Sequence, residues 1–387
     1  MSAATPTGSL AVERPRAAQR RERAASRRDI EAMLDPRCNG LNVLRLIMAS
    51  GVIWYHSFRL TGRPITPAPL DQALTNVWVD GFFVLSGFLI VGSWMRRPQL
   101  GAYTRHRLLR LYPAFFVCLF VTAFIAAPLA AVMAHEELLW REQIAYVGQN
   151  LGMFMRTYAV GDTLASVPYP SVWNGSLWTL VWELLCYVAV ALLGLAGVLR
   201  TRFGVPVVFV LMWVFLLLTH VGTIGAVHFP LVLHRYGSLP LADAARFGLM
   251  FAAGGLVWHL REVLACRRRW VALSFAVVAA SMWLPDYRVV AAPFLAYGLV
   301  ALGAMIKVPR LHLRNDISYG MYIYAFPVQQ LLVTAGLASL SVGAFGALAT
   351  VLTLLPATLS WFCIEKPAMR LKDLDRLRHR PDGRGSV

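Results

Sequence analysis

Arg45 and His56 stand eleven residues apart in the run RLIMASGVIWYH. At about 100° per residue, eleven residues make three turns and roughly 20° more, so the two side chains share one helix face, about 16 Å apart along the axis. An arginine alone could snorkel toward an interface, and a histidine alone could be a satisfied core residue. Together on one apolar stripe they mark a polar path along a helix. Two carboxylates also interrupt apolar runs: Asp80 in WVDGFFVLSGFLI and Glu183 in NGSLWTLVWELLCY. An ionisable group in such a run is costly and is a candidate for function, with a structural ion pair as the alternative. A carboxylate on one ring nitrogen of a histidine fixes the tautomer and raises basicity at the other. His56, Asp80 and Glu183 are therefore expected to form an acid–base site, with His56 as general base.

A second chemistry is written in RHRLLRLYP. Arg107 and Arg110 are an i, i+3 pair on one helix face. Arg45 is expected at a similar depth, and clustered guanidiniums suit phosphate oxygens. Ordinary loop charge is the alternative, and for Arg105 it is the preferred one. Asn174 and Trp178 precede Glu183 on the same segment and are candidate sugar ligands; a tryptophan there is equally an interfacial anchor. Ser86, beside Gly87, is a candidate nucleophile, but a small residue at a helix contact is the better reading. A phosphate-bearing ligand at one mouth and an acid–base site in the opposite half outline a transfer reaction.

These residues need helices to hold them. The chain has 387 residues, 58% hydrophobic and 15% charged, with mean hydropathy +0.57. Soluble domains carry about 25% charged residues. The composition excludes a soluble globular domain, a disordered chain and a small disulfide scaffold. It predicts an all-α polytopic membrane protein. About ten transmembrane helices are expected, near 41–60, 76–94, 111–133, 176–199, 204–220, 244–260, 270–285, 289–306, 317–335 and 344–363. The stretch 221–243 reads as an outer loop with a re-entrant piece. Residues 1–39 read as a disordered basic cytoplasmic tail without the apolar core of a signal peptide. Residues 40–365 form one transmembrane domain, and 366–387 a basic cytoplasmic tail. No internal repeat is visible.

Basic residues outnumber acidic ones 37 to 20, a net charge of +17. On the ten-helix layout 29 of the 37 fall on one side and seven, Arg246 and Arg288 among them, in the loops of the other, with Arg45 left inside the first helix. This places both termini in the cytoplasm and assigns the excess to topology and anionic lipid rather than to nucleic acid. The five cysteines avoid the outer loops and show no CxxC or CxxH spacing, so neither a disulfide nor a metal site is expected.

At this level of detail the chain resembles the membrane acyltransferase 3 family. An R-x10-H pair is met by Arg45 and His56, and a V-D-x-F-F-V-x-S-G-F-L-I motif by Val79 to Ile90. R-x-x-R-L-x-P runs from Arg107 to Pro113. N-x-x-L-W-[ST]-L-x-x-E-x-x-x-Y is met by Asn174, Leu177, Trp178, Thr179, Leu180, Glu183 and Tyr187. S-Y-G-x-Y-x-x-x-x-P runs from Ser318 to Pro327, and E-[KR]-P-x-x-R is met by Glu365, Lys366, Pro367 and Arg370. One departure is visible: many relatives carry a histidine in the segment that here reads Tyr324-Ala325-Phe326-Pro327. The resemblance implies an integral bacterial cell-membrane acyltransferase, an acetyl-CoA-dependent O-acetyltransferase. Acyl-CoA would be a co-substrate, approached from the cytoplasm and bound by Arg45, Arg107 and Arg110, with no permanently bound cofactor. The acceptor would be a hydroxyl of a sugar, glycan, glycolipid or related metabolite, so polysaccharide modification is one role implied.

A proton-coupled transporter or lipid flippase would also show ten helices with buried His, Asp and Arg. The arginine pair in register with Arg45, and the lack of inverted repeats, favour the enzyme. Acceptor identity, acyl length and oligomeric state stay open at this stage.

Overall fold

A computed structural model describes residues 29–35, 38–220, 228–229, 239–307 and 315–371. Most of both expected tails and of the 221–243 stretch lies outside the described residues. After a short helix α1 (Ile30–Met33), the chain runs through α2 (Leu41–Leu60), α3 (Ala68–Arg96), α4 (Leu100–Ala134) and α5 (Trp140–Asn150). It continues through α6 (Leu177–Leu195), α7 (Gly204–His220), α8 (Leu241–His259) and α9 (Arg268–Ser281). Last come α10 (Arg288–Met305), α11 (Ser318–Thr334) and α12 (Val342–Arg370). His228–Phe229 pairs antiparallel with Leu239–Pro240; otherwise the described regular structure is helical.

Each of the ten predicted runs coincides with a helix. Six of the described helices, α3, α4, α6, α8, α10 and α12, are long and apolar enough by themselves to cross a membrane. The expected count of ten is thus met in helices but not in helices of sufficient length and apolarity. Arg45 and His56 dilute the apolarity of α2, and α7, α9 and α11 hold only 17, 14 and 17 residues. Large apolar side chains such as Leu192, Leu211, Val351 and Leu355 point outward, as a lipid-facing belt requires.

The helices also extend beyond their apolar runs. α4 begins at Leu100, so Arg105, Arg107 and Arg110 ride on the helix itself rather than on a loop before it. Arg246 and Arg288, counted from sequence as outer-loop charges, lie within α8 and at the start of α10.

Helices α3 and α8 cross at two glycines. A Cβ on Gly87 would fall 1.9 Å from the Phe251 carbonyl oxygen, and one on Gly254 would fall 1.9 Å from that of Val84. The backbones approach as closely as small residues allow, which is the packing mode available between helices in lipid.

Proline within α11 shapes the site from the backbone outward. Pro327 has no N–H to offer the carbonyl four residues earlier, and that carbonyl belongs to Ile323. Asn174 Nδ2 donates to it at 2.8 Å and Cys118 Sγ at 3.3 Å. Pro293 in α10 frees the Val289 carbonyl in the same way, and Trp213 Nε1 donates to it at 2.8 Å. In a bilayer core no water can replace these donors.

Candidate functional site

Two cavities lie along the polar face of α2, one at its Arg45 end and one at its His56 end. The first lies between α2, α3, α4, α6 and α11, with about 750 Å³ of empty space counted out to its open mouth, and Arg45, Arg107, Arg110, Ser86 and Glu183 line it. The second has about 930 Å³ counted in the same way and is lined by His56, Arg59, Tyr169, Trp178, Arg246 and Phe326 among others. The two share three wall residues, Val79, Thr179 and Tyr322.

The three arginines of the first cavity are not equivalent. Arg110 Nη2 donates to Asp316 Oδ2 at 2.6 Å and its Nη1 to Glu365 Oε2 at 3.1 Å. Arg45 Nη1 donates to the same Asp316 oxygen at 2.8 Å. Two cations thus face two carboxylates, and the group is close to neutral. Asp316 lies before α11. Burial alone would push its carboxyl up, but the guanidiniums of Arg45 and Arg110 and two donors from Ser318 hold it below the usual carboxylate range. Arg107 differs. Among the described residues it has no carboxylate partner, its Nη2 reaches only Ser93 Oγ at 3.4 Å, and its buried Nε has no partner. It sits 5.8 Å over the rings of Tyr103 and Tyr187. Arg107 is therefore the cation with donors to spare for an anion.

Glu183 also faces this cavity. Its Oε1 accepts from Ser86 Oγ at 3.2 Å and from the Tyr187 hydroxyl. Ser86 is a donor to a carboxylate here and sits beside the Gly87 crossing, in keeping with the helix-contact reading.

His56 occupies the second cavity without a carboxylate. Its ring packs 5.1 Å from Tyr55 and 4.9 Å, edge-on, from Phe326, and its Nδ1 is buried with no partner. The expected triad of His56, Asp80 and Glu183 is thus not assembled: Glu183 lies across the Thr179–Tyr322 wall, and Asp80 faces elsewhere. Asp80 is fully buried at the junction of α3, α8 and α10. Its two oxygens accept from Arg246 Nε at 3.0 Å, Arg288 Nε at 2.6 Å and the Tyr287 hydroxyl at 2.5 Å. Arg288 also binds Asp286 at 3.1 Å. Arg246, stacked 4.7 Å from the Phe247 ring, lines the His56 cavity. Asp80 therefore acts at the cavity through Arg246 and not on the imidazole.

Of the two candidate sugar ligands, Trp178 lines the His56 cavity. Asn174 does not. It is fully buried, its Nδ2 is taken by the Ile323 carbonyl, and its Oδ1 accepts from the Ser176 N–H at 3.2 Å. It pins the proline-bent α11 to the start of α6.

Sequence reasoning missed Arg246, Tyr169, Tyr322 and the ion-pair role of Asp316. The segment LADAARFGLM carries a lone arginine in an apolar run, a signal that applies equally to Arg45, and the loop assignment obscured it. Among the described residues no group of three His, Cys, Asp or Glu is placed to hold a metal.

Comparison with known proteins then narrows the chemistry. Residues 39–363 match a family described as an acyltransferase domain. An O-acetyl transferase of Shigella phage Sf6 is 28% identical over 339 residues, 85% of this chain and 95% of that protein. Nodulation protein 10 of Rhizobium leguminosarum bv. viciae is 26% identical over 359 residues, 86% of this chain and 94% of that protein. No solved structure matches the chain.

Proposed function

Because the chain belongs to the membrane acyltransferase 3 family, matching its acyltransferase domain over residues 39–363, we propose that it is an integral membrane O-acyltransferase. It moves an acyl group, acetyl in the simplest case, from acyl-CoA to a hydroxyl of a sugar, glycan or glycolipid. The observation that carries this reading is the pair of adjoining cavities, one with the acid-free Arg107 and the other with His56 among aromatic rings. The donor cavity opens toward the cytoplasm of a bacterial cell membrane, the side to which the basic excess assigns both termini.

Arg107 binds a CoA phosphate, and Arg45 and Arg110 add positive potential to the extent that Asp316 and Glu365 leave it unspent. Glu183 accepts from an amide N–H of the pantetheine arm. In the second cavity Trp178 and Tyr169 offer ring faces to the acceptor. His56 accepts the hydroxyl proton as the acceptor oxygen attacks the thioester carbonyl. The C–O bond forms, the C–S bond breaks, and the imidazolium returns the proton to the CoA thiolate. Arg246, held by Asp80, supplies a fixed positive charge near the developing oxyanion. Direct attack is preferred over an acyl-enzyme, since Ser86 lines the donor cavity and not the cavity that holds His56.

Acetyl-CoA binding to purified protein, wild type beside Arg107→Ala, tests the donor site. Saturable binding that Arg107→Ala weakens supports it. Wild-type protein that does not bind acetyl-CoA would overturn the reading and return the transporter alternative.

A further inference from the structure

The donor cavity and the His56 cavity are separated by a wall of three side chains, and the transfer proposed above needs an acyl group to pass it. Val79 comes from α3, Thr179 from the start of α6 and Tyr322 from α11. The Thr179 and Tyr322 hydroxyls are 2.6 Å apart, and each lies 3.1 Å from the Ser176 carbonyl oxygen. Tyr322 is further braced by Phe82, whose ring meets it edge-on at 5.7 Å and lines the donor cavity. The helix beneath Tyr322 is fixed, because Asn174 and Cys118 hold the carbonyl of its neighbour Ile323. Opening is therefore a rotation of the Tyr322 side chain against Thr179, not a movement of α11.

Resting on the acyl-CoA reading, we infer that Val79, Thr179 and Tyr322 form the gate through which the acyl group reaches His56, and that their bulk restricts the donor to short acyl chains. The hydroxyl latch keeps the His56 cavity closed off from the donor until the thioester displaces Tyr322. Val79 and Phe82 present apolar surface to the methyl end of the acyl group. A longer chain meets the ring of Tyr322 and the Thr179 methyl and cannot lie straight through the opening. Selectivity by steric exclusion of extra methylenes is of the order of tenfold or more.

The test is release of free CoA from acetyl-, butyryl- and octanoyl-CoA by purified protein in detergent, with water as the acyl acceptor. Wild type should favour acetyl-CoA over octanoyl-CoA by at least about tenfold. Val79→Ala/Thr179→Ala, which widens the opening, should reduce that ratio about tenfold. Tyr322→Phe keeps the ring and loses the latch, so it guards against a merely unfolded variant; it should lower the ratio by a smaller factor. A wild type equally fast on both donors, or a ratio unmoved in both variants, would overturn the gate. A wild type that turns over none of the three donors would instead overturn the acyl-CoA reading on which the gate depends.

Discussion

At the scale of single residues, the three arginines of the donor cavity differ in what their removal leaves behind. Arg107→Ala strands no carboxylate. It should weaken acetyl-CoA binding about 10- to 100-fold, the worth of one or two charge-assisted hydrogen bonds, with little change in melting temperature in detergent. Arg110→Ala leaves Asp316 and Glu365 without a shared partner, so it should lower thermal stability as well as binding. Equal thermal losses in the two variants would contradict this division. Asp80→Ala should be the most destabilising of all, by about 3–5 kcal/mol, because it leaves Arg246 without a carboxylate and the buried Arg288 with Asp286 alone; a near-normal melting temperature would show that the junction tolerates the unpaired charge. Asp316 brings a pH dependence. Its carboxyl is held below the usual carboxylate range, so its contribution is fully present above that range and fades as pH falls through the lowered folded value. Melting temperature should therefore drop in acid below about pH 4, and Asp316→Asn should flatten that drop. That Arg45, His56, Asp80 and Glu183 face the polar interior rather than lipid is legible from their place in apolar runs: three line the cavities and Asp80 is ion-paired beside them. Their partners are not, since helical periodicity gives depth and face but not which neighbour lies opposite.

At the scale of the element, prolines and glycines decide where helices bend and touch. If Asn174 serves the carbonyl that Pro327 frees, the two positions must be coupled. Asn174→Ala alone should cost about 1–3 kcal/mol, because it leaves the buried Ile323 carbonyl only the weak thiol donor of Cys118. In a Pro327→Ala background the backbone N–H of position 327 can take the Ile323 carbonyl, and the same substitution should cost measurably less. Additive losses across this double-mutant cycle, followed by thermal unfolding in detergent, would remove the link. The helices themselves are readable from apolar runs, as the agreement over α2, α6 and α11 shows. Their ends are less so. The sequence RHRLLRLYP looks like a loop before a span because its charges interrupt the apolar window, yet α4 continues through it. There the helix docks through the Tyr103 hydroxyl on the Tyr187 carbonyl at 3.0 Å. The motif S-G-F could be weighed as nucleophile or contact from sequence alone; the 1.9 Å approach at Gly87 settles what the glycine does.

For the whole molecule, orientation follows from charge and not from packing. Two of the arginines assigned from sequence to the outer side, Arg246 and Arg288, are paired within the helices, both with Asp80 and Arg288 also with Asp286. Withdrawing them from the outer count steepens the charge bias from which both termini are expected on the cytoplasmic side. The same argument demands an even number of crossings, so if the six helices long and apolar enough to cross all do so, the remaining helices must cross in an even number. Cysteines introduced by Ser9→Cys and Ser386→Cys report this directly, using a membrane-impermeant maleimide with the label mapped to each tail peptide. Both tails should react in inside-out vesicles and neither in intact spheroplasts. Labelling of one tail from each side would require an odd number of crossings. If the outer tail were the N-terminal one, the Arg45 and His56 ends of α2 would lie on faces that the basic excess does not predict. Acyl-CoA is made and held inside the cell, so reaction of both tails from outside would leave the arginine-lined cavity facing away from its donor. That outcome would count against the enzyme reading as strongly as a failure to bind acetyl-CoA.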